Sequence, residues 1–434
     1  MKTHLSKNVV AGIAMAAVAG LAWAAPISGW EDNRNQVLEW NRIFVETLIA
    51  TNTPNSSSQR LGAIVHTAIF DAYNGIEDRY APIFVHDSAP PGASRRAAVI
   101  AAAHTVLVGL FPSRQAALDD SYAASLAALS DDDEPGQSRE RGIAWGTQVA
   151  QAILAWRATD GFSASYPAFT GGMATGQWRP TPPAFGAMSA QGLAFTAPFV
   201  LAGNTQFEVE APRGLTSATY TNDFQAVKAL GRNTGSSRTA EQTAVALFWD
   251  GNASVHWNQA ANQIADAHHL SMSASNRLLA VLNIAMAETA MTTWAGKRFY
   301  GSVPTEVTWR PVTAISLADN DGNPDTAADP GWLPLIVTPA HPEYPAGHPS
   351  QNGAAGTVLL RYFDDEQVFT LTTNGQPSRT YSSITQARAD GNNARVWGGM
   401  HFPSTVAASD AEGEAVATYV DRNSMQRLRV PQRE

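Results

Sequence analysis

The chain has 434 residues, of which 44% are hydrophobic and 15% charged, and its formal charge at pH 7 is −9. This composition allows a large buried core and excludes a coiled coil, collagen or a wholly disordered chain. The acidic balance argues against nucleic acid as a partner. Because the chain has no cysteine, disulfides, thiolate zinc sites, cysteine nucleophiles and thioether-linked haem are also excluded.

The first residues, 1–24, have the pattern of a secretory signal peptide. Two lysines precede an apolar Ala/Gly-rich run, and the tripeptide Ala-Trp-Ala at 22–24 fits a signal cleavage site. The alternative is an uncleaved membrane anchor, but the run is short for a stable span. We therefore expect the mature chain, 25–434, to be periplasmic or secreted and to have no membrane partner.

Helical periodicity recurs along most of the chain, because apolar residues repeat at three- and four-residue steps. In chain order, the predicted helical segments lie within 34–75, 94–111, 114–129, 139–157, 221–268, 274–299 and 348–363, and begin again at Ser382 and near Ala407. Strand signals are few and short. The sequence therefore predicts a mainly α protein, built of helical bundles packed together.

Residues 160–220 differ from the rest, because Gly, Pro, Thr and aromatic residues dominate them. We expect a long ordered loop rather than a linker, since the aromatic side chains would otherwise be left in water. No repeat period is evident. We therefore expect a single large domain over 25–434.

Three short clusters in the last third of the chain carry histidines or basic side chains. KRFYGSVPTEVTWRP contains Lys297 and Arg310, HPEYPAGHPSQ contains His348, and ARVWGGMHF contains Arg395 and His401. Each cluster alone is a weak signal. Together they supply the fixed positive donors that a tetrahedral or trigonal-bipyramidal oxyanion requires around its oxygens.

The stretch PAGHPSQ predicts the start of a helix, whose backbone amides would add to these positive donors. The backbone N–H of Gly347 can donate, and a helix that begins at His348 offers unpaired amides and a favourable dipole to an anion. Pro349 suits the first helical turn. Of two histidines at such a site, one would bond to the central atom as nucleophile or metal ligand, and the other would move protons.

The order Lys…Arg-Pro, Pro-x-Gly-His and Arg-x5-His resembles the superfamily of vanadium-dependent haloperoxidases and type 2 phosphatidic acid phosphatases. The phrases WRPVTAI, HPEYPAGH and GGMHF are most similar to its bacterial vanadium haloperoxidase-like branch. The likeness extends upstream through WNRIFVETLIA and VHTAIFDAYNGI, so it covers nearly the whole mature chain. It implies vanadate as cofactor, phosphate as an occupant of the same site, and a homodimer as a reasonable expectation.

Residue by residue, the resemblance implies a role for each group in the segment 297–401. His401 would be the axial ligand of vanadate, or the phosphorylated nucleophile of a phosphatase, and His348 would be the acid–base group. The groups that would hold the oxyanion are Lys297, Arg310, Ala346, Gly347 and Arg395.

The chain departs from the family pattern at three places. Lys297 and Arg310 stand further apart than is usual, with an insertion in GSVPTEVT. Ala346 replaces the serine of Pro-Ser-Gly-His, which removes a hydroxyl donor, and Ala394 replaces a frequent serine before the last arginine. These losses put efficient halide oxidation in question.

Three functions stay open at this stage. The first is a vanadate-dependent peroxidase that oxidises halide with hydrogen peroxide to hypohalous acid. The second is an acid phosphatase that hydrolyses phosphomonoesters through a phosphohistidine at His401. The third is a non-catalytic oxyanion-binding protein.

Structural roles are the alternatives for the individual residues. His348 would then be a loop histidine, Lys297 a solvated side chain, and the two arginines ion-pair partners of carboxylates such as Glu306 or Asp390. Further histidines invite a metal-site hypothesis, although their helical patterns are more typical of structural positions; they are His66, His104, His268 and His269.

The acidic stretch DNDGNPD at 319–325 resembles the opening of a calcium-binding loop. Its twelfth position is Pro330 rather than glutamate. We therefore favour a polar turn stabilised by its own side chains, with calcium as the alternative.

Overall fold

The computed structural model of this chain describes residues 35–129 and 136–428. The predicted signal peptide, 1–24, lies outside these residues, so export stays a prediction. The described residues are mainly helical, which confirms the predicted fold class. The prediction of a single domain over 25–434 stays a prediction.

Thirteen α-helices and one two-stranded antiparallel sheet occur within the described ranges. The first seven helices are α1 (Gln36–Ala50), α2 (Asn55–Glu77), α3 (Arg95–Leu110), α4 (Gln115–Ala127), α5 (Gly136–Arg157), α6 (Ala218–Leu230) and α7 (Ala240–Phe248). The others are α8 (Ala253–Ala267), α9 (Met272–Ser302), α10 (Pro311–Ser316), α11 (Gly347–Tyr362), α12 (Ile384–Trp397) and α13 (Pro403–Asn423). The strands are β1 (Phe369–Leu371) and β2 (Arg379–Tyr381), which pair before α12.

Capping side chains explain several helix boundaries. Ser94 accepts a hydrogen bond from the backbone N–H of Ala97 and starts α3, as predicted. One boundary and one short helix differ from the prediction. The last helix, α13, begins at Pro403 rather than near Ala407, because proline is compatible with the first helical turn. The short helix α10 was not predicted, since six residues are too few to show a helical period.

The long helix α9 forms the centre of the fold and packs against α2, α11 and α13. It is apolar and long enough to cross a membrane, but 94% of its most apolar window is buried inside the protein. Helices α3 and α4 pass the same test only as a pair bent by 117°. The burial of α9 is that expected of a core helix.

Small residues bring α11 and α13 into close contact. A Cβ added to Gly353 of α11 would lie 2.1 Å from the carbonyl oxygen of Asp410, and one added to Gly413 would lie 1.9 Å from that of Ser350. Only glycine fits at either position. The start of α11 and the start of α13 are therefore held side by side, next to the last turns of α9.

Residues 160–217 contain one short 3-10 helix, Gln191–Phe195, within an ordered loop, in agreement with the expectation from composition. A buried ion cluster holds the beginning of this loop. Oδ2 of Asp160 accepts from Nε of Arg60 at 2.7 Å and from Nη2 of Arg157 at 2.8 Å. Both arginines also donate to backbone carbonyls, so the cluster joins α2, α5 and the loop.

The rest of the loop covers α9 and the segment that leads into α11. The indole N–H of Trp294 donates to the carbonyl of Ser189 at 3.1 Å, and the hydroxyl of Tyr344 donates to the carbonyl of Glu210. The carbonyl of Gly176 accepts from the backbone N–H of Thr308 at 2.7 Å. The loop therefore fixes one wall of the region where the basic clusters lie.

The ion cluster of Asp160 gives a stability prediction. We expect Asp160→Ala to lower the free energy of unfolding by about 3–5 kcal/mol, because it leaves two buried guanidinium groups without their carboxylate. Glu210→Ala is the control, since its ion pair with Arg213 is exposed and contributes below about 1 kcal/mol. Denaturant unfolding of both variants checks this, and equal small losses would contradict the assigned role of the cluster.

Candidate oxyanion site

Four segments carry the predicted site residues to one place. Lys297 lies in the last turns of α9, and Arg310 immediately precedes α10. His348 lies in the first turn of α11. Arg395 lies near the end of α12, and His401 lies in the short connection between α12 and α13.

Glu343 holds His401 in one tautomer. Nδ1 of His401 lies 2.9 Å from Oε1 of Glu343, which also accepts from the backbone N–H of Phe402 at 3.0 Å. Oε2 accepts from the hydroxyl of Thr405 at 3.0 Å. Burial raises the pKa of Glu343 to about 7, while these donors and the nearby cations favour its ionised form. Because a carboxylate only accepts, Nδ1 carries the proton and Nε2 keeps its lone pair.

Arg310 supports the same tautomer from the other side of the ring. Its Nη1 lies 3.1 Å from Nε2 of His401, and a guanidinium can only donate, so Nε2 is an acceptor. Its Nε donates to the carbonyl of His341 at 2.8 Å, and its Nη2 lies 2.7 Å from Nδ1 of His341. Burial lowers the pKa of Arg310 to about 9, which leaves the side chain protonated at neutral pH.

Lys297 reaches the site although the insertion separates it from Arg310. Its buried Nζ donates to the carbonyl of Pro342 at 2.7 Å and to that of Pro345. The extra residues form the end of α9 and the loop beyond it, so they lengthen the connection between Lys297 and Arg310. Burial and the charge of Arg310 lower the pKa of Lys297 well below its usual value, and the charge of Glu343 opposes this shift.

Arg395 and His348 contact two consecutive residues of the loop between α7 and α8. Nη1 of Arg395 lies 3.3 Å from Oδ1 of Asp250, and Nε2 of His348 lies 3.1 Å from the carbonyl oxygen of Gly251. Because that carbonyl only accepts, Nε2 of His348 carries the proton and Nδ1 is free to accept one. Arg395 therefore has a carboxylate partner, but it is Asp250 rather than Asp390.

The two alanines at the site bring no polar side-chain atoms. Ala346 is the N-cap of α11 and offers no side-chain cap, and its backbone N–H donates to the hydroxyl of Ser409 at 2.7 Å. Ala394 is fully buried. Gly347 lies against the ring of Trp294, where an added Cβ would come within 3.1 Å. The N-terminal amides of α11 are therefore the donors that this turn can offer to an anion.

The pKa shifts of the two histidines show that the cations act on both. Burial lowers the pKa of His401 well below its usual value, and the charges of Arg310, Lys297 and Arg395 lower it further. Burial, Arg395 and, to a smaller extent, Lys297 lower the pKa of His348. His348 and His401 are therefore both kept neutral by burial and by the positive charges of Arg395 and Lys297.

Sequence reasoning missed Glu343, His341 and Asp250 as site residues. The signal for Glu343 was present, since an acidic residue stands inside the otherwise apolar and prolyl stretch HPEYP. The sequence does not show that Glu343 is buried beside His401, because only the fold brings these two segments together. Asp250 follows α7, far from the other clusters along the chain, and carries no motif of its own.

Three of the other histidines make local contacts of their own. Nε2 of His66 lies 3.0 Å from Oδ1 of Asn41. Nε2 of His104 lies 2.7 Å from Oδ1 of Asp119, and Nε2 of His268 lies 2.9 Å from Oε1 of Gln367. Over residues 35–129 and 136–428, no group of three or more His, Cys, Asp or Glu side chains is arranged to hold a metal ion.

The acidic stretch 319–325 folds as a polar turn. Oδ1 of Asp321 accepts from the backbone N–H of Asn323 at 2.7 Å, and its Oδ2 accepts from the hydroxyl of Thr326 at 2.7 Å. Oδ1 of Asn323 accepts from the N–H of Asp325 at 3.0 Å. These oxygens are engaged by the donors of the turn itself, which supports the interpretation favoured from the sequence.

The residues present fit an oxyanion. Nε of Arg395 is buried and has no hydrogen-bond partner among the described residues, although a guanidinium N–H is an obligatory donor. The charges of Lys297, Arg310 and Arg395 all act on His401, and Nη1 of Arg310 contacts its Nε2. This donor set suits vanadate or phosphate, because it combines charge with directed N–H groups.

Comparisons with known proteins indicate which family this chain resembles. Residues 277–429 match the family model of the VCPO second helical-bundle domain. The chain is 25% identical over 416 residues to the vanadium chloroperoxidase of Curvularia inaequalis, with 77% of this chain aligned, and it spans 66% of that protein's length.

Solved structures show the same fold. A bacterial vanadium-dependent iodoperoxidase superposes with a TM-score of 0.74 at 23% identity, covering 94% of this chain and 100% of that one. An apo-type bacterial vanadium-dependent chloroperoxidase superposes with a TM-score of 0.66 at 18% identity, covering 85% of this chain and 92% of that one. The resemblance predicted from the sequence is therefore confirmed.

The role of Glu343 is testable with orthovanadate. We expect Glu343→Ala to weaken vanadate binding by about 10–100-fold, because the partner that fixes the His401 tautomer is lost. Glu343→Gln should weaken vanadate binding less, since the amide oxygen of the glutamine side chain can still accept a hydrogen bond from Nδ1 of His401. Isothermal titration calorimetry measures the affinities, and 15N NMR of the His401 ring reports the tautomer.

Glu306→Ala is the matched control, because this carboxyl lies in the loop after α9 and makes no contact with His401. Removal of a negative charge near an anion site would by itself strengthen binding. Vanadate binding that is unchanged or tighter in Glu343→Ala would therefore contradict the positioning role.

Proposed function

We propose that this relative of the vanadium haloperoxidases is a vanadate-dependent peroxidase that oxidises halide with hydrogen peroxide to hypohalous acid. The observation that carries the proposal is the setting of His401, a buried imidazole whose Nε2 accepts a hydrogen bond from the guanidinium of Arg310. The assignment also rests on the likeness to a vanadium chloroperoxidase and to a bacterial vanadium-dependent iodoperoxidase.

In this proposal, Nε2 of His401 would hold vanadate, and the cationic side chains would donate to its oxygens. Bound vanadate supplies a Lewis-acid centre that activates peroxide without a change of its own oxidation state. The N–H of Arg310 that donates to His401, and the unpartnered Nε–H of Arg395, are placed to serve the anion. The amides at the start of α11 add donors where the hydroxyl of a serine is missing at Ala346.

His348 is assigned the proton transfers. The carbonyl of Gly251 fixes the proton on its Nε2, so Nδ1 is the atom that accepts a proton from the incoming peroxide. The lowered pKa keeps the resting imidazole neutral, so the lone pair of Nδ1 is available for a proton. The same ring then returns the proton to the departing oxygen.

We also propose that the protein works outside the cytoplasm. This rests on the signal-like pattern of residues 1–24 alone. N-terminal sequencing of the protein from its native host tests it, with a mature start near Ala25 as the expected result.

The activity is tested by assaying purified metal-free protein with and without added orthovanadate. We expect vanadate-dependent bromination of a phenolic dye in the presence of hydrogen peroxide and bromide, and its loss in His401→Ala, which lacks the side chain that would hold vanadate. Hydrolysis of p-nitrophenyl phosphate by the metal-free protein, inhibited by vanadate, would contradict the proposal. So would tight vanadate binding without turnover.

His348→Ala separates binding from proton transfer. We expect kcat to fall by about 10²–10⁴-fold, because a positioned acid–base group contributes rate enhancement of this order. Vanadate affinity should change much less than in His401→Ala. His268→Ala is the control, because this ring contacts Gln367 away from the site. A full kcat in His348→Ala would remove this residue from the mechanism.

A further inference from the structure

Glu412 is a buried carboxyl group that the proposed chemistry does not use. It lies in α13, is 5% exposed and contacts the central helix α9. Its Oε2 lies 3.0 Å from the hydroxyl oxygen of Thr293 in α9. That oxygen lies 2.9 Å from the hydroxyl oxygen of Ser350 in α11. Because Thr293 and Ser350 are fully buried, their hydroxyl groups depend on these neighbours for hydrogen bonds.

The row of contacts ends on the turn that opens α11. Oγ of Ser350 lies 2.8 Å from the carbonyl oxygen of Gly347, which only accepts, so the proton of Ser350 is donated there. This carbonyl belongs to the peptide that carries the N–H of His348. On the same turn, the backbone N–H of Ala346 donates to the hydroxyl of Ser409 in α13. Helix α13 therefore holds the turn by two polar routes, one direct and one through α9.

A hydroxyl group has one proton, and this sets the direction of each hydrogen bond in the row. Because Ser350 donates to Gly347, it must accept from Thr293. Thr293 then has no proton left for Glu412, so the carboxyl group must donate to Thr293. An ionised Glu412 would leave one of the three contacts as two oxygen atoms with no proton between them. The geometry therefore calls for a neutral carboxylic acid at this position.

The electrostatic surroundings of Glu412 agree with this protonation state. Burial raises the pKa of Glu412 to about 8, whereas the contact with Thr293 and the charge of Lys297 lower it. The phenols of Tyr300 and Tyr344 also feel the charge of Glu412, and both have a pKa above the usual value, chiefly through burial. These two groups are therefore uncharged near neutral pH.

The charged side chains that α6, α11 and α12 bring near α13 are engaged in contacts of their own. The contacts join Asp223 to Ser404, Arg361 to Asp421, and Arg388 to both Asp410 and Glu414. Among the described residues, Lys297 is the one whose charge acts on Glu412. The ionisation of Glu412 is thus linked to a cation of the oxyanion site.

We propose that Glu412 is a positioning residue of the oxyanion site, where it acts as a neutral acid. It donates to Thr293, which holds the turn of Gly347, and it leaves the charge of Lys297 for the anion. Loss of its proton reverses the hydrogen bond to Thr293, breaks one contact of the row and adds a negative charge that offsets Lys297. The affinity for oxyanions therefore falls as the pH rises through the ionisation of Glu412. This inference rests on the oxyanion site of the proposed function but not on halide oxidation.

Infrared difference spectroscopy tests the protonation state. We expect a carbonyl stretching band of a protonated carboxylic acid at about pH 7 that is lost in Glu412→Gln and kept in Glu414→Gln. Glu414 is the matched control, because it lies on the same helix and its side chain is 58% exposed and paired with Arg388. Identical carboxylic-acid bands in the unmodified protein and in Glu412→Gln would overturn the proposal.

Tungstate binding tests the link to the anion, because the charge of this tetrahedral oxyanion is constant in the range used. Between about pH 7 and about pH 9, we expect the affinity of the unmodified protein to fall about 3–10-fold more than that of Glu412→Gln. The glutamine amide keeps an N–H donor for Thr293 and cannot ionise, so the two affinities at about pH 7 should agree within about twofold. Calorimetry measures them. The other groups that titrate in this range are present in both proteins.

Thr293→Val interrupts the row without a change of charge. It should weaken tungstate binding at about pH 7 about threefold or more, because the turn of Gly347 loses its link to α13. Thr292→Val is the control, since this neighbouring hydroxyl donates to the carbonyl of Glu288 within α9. Equal affinities in the two threonine variants would contradict the positioning role.

Two results at Glu412 would overturn the proposal. One is tungstate binding to Glu412→Gln that is about tenfold tighter at about pH 7, because it would mean that the native carboxyl group is ionised there. The other is an equal pH dependence in both proteins. Absence of tungstate binding to the unmodified protein would refute the oxyanion site and the linkage with it. The expected linkage without vanadate-dependent bromination would refute the peroxidase and leave the role of Glu412 standing.

Discussion

The contact between the carboxylate of Glu343 and Nδ1 of His401 is the interaction on which the site depends. It fixes a proton on one ring nitrogen and leaves the other with its lone pair, which is the form that binds an electrophilic centre. Phe402 and Thr405 supply two further donors to the carboxylate. Arg310 favours the same tautomer by donating to Nε2, and without the carboxylate the proton on Nδ1 would lose its acceptor.

The packing of the helical core sets the distance between Glu343 and His401. Glu343 belongs to the segment before α11, whereas His401 belongs to the segment before α13, so their distance depends on how closely the two helices approach. Glycines at the crossing allow that approach. The central helix α9 then brings Lys297 to the carbonyls of the same segment. The loop 160–217 covers the outside and keeps water from a cluster of buried charges.

Much of the site could be predicted from the sequence, because its charged groups lie in short clusters of unusual composition. The helix that follows Ala346 and the basic residues around His348 and His401 were predicted on that ground. The partners were not, since the carboxylates of Glu343 and Asp250 acquire their roles only through contacts between segments distant along the chain. The spacing of Lys297 was misleading for the same reason, because a loop absorbed the insertion.

The fold class was predictable because apolar periodicity persists through every long helix, whereas α10 and the exact start of α13 lacked enough residues to show it. Such short elements are stabilised by tertiary packing rather than by local pattern.

The most direct test of the account is a crystal structure of the protein soaked with orthovanadate, with anomalous data collected at the vanadium edge. The account predicts one strong vanadium peak within bonding distance of Nε2 of His401, with Arg310 and Arg395 donating to its oxygens and Nδ1 still on Glu343. A peak elsewhere, or no peak at His401 under saturating vanadate, would contradict it.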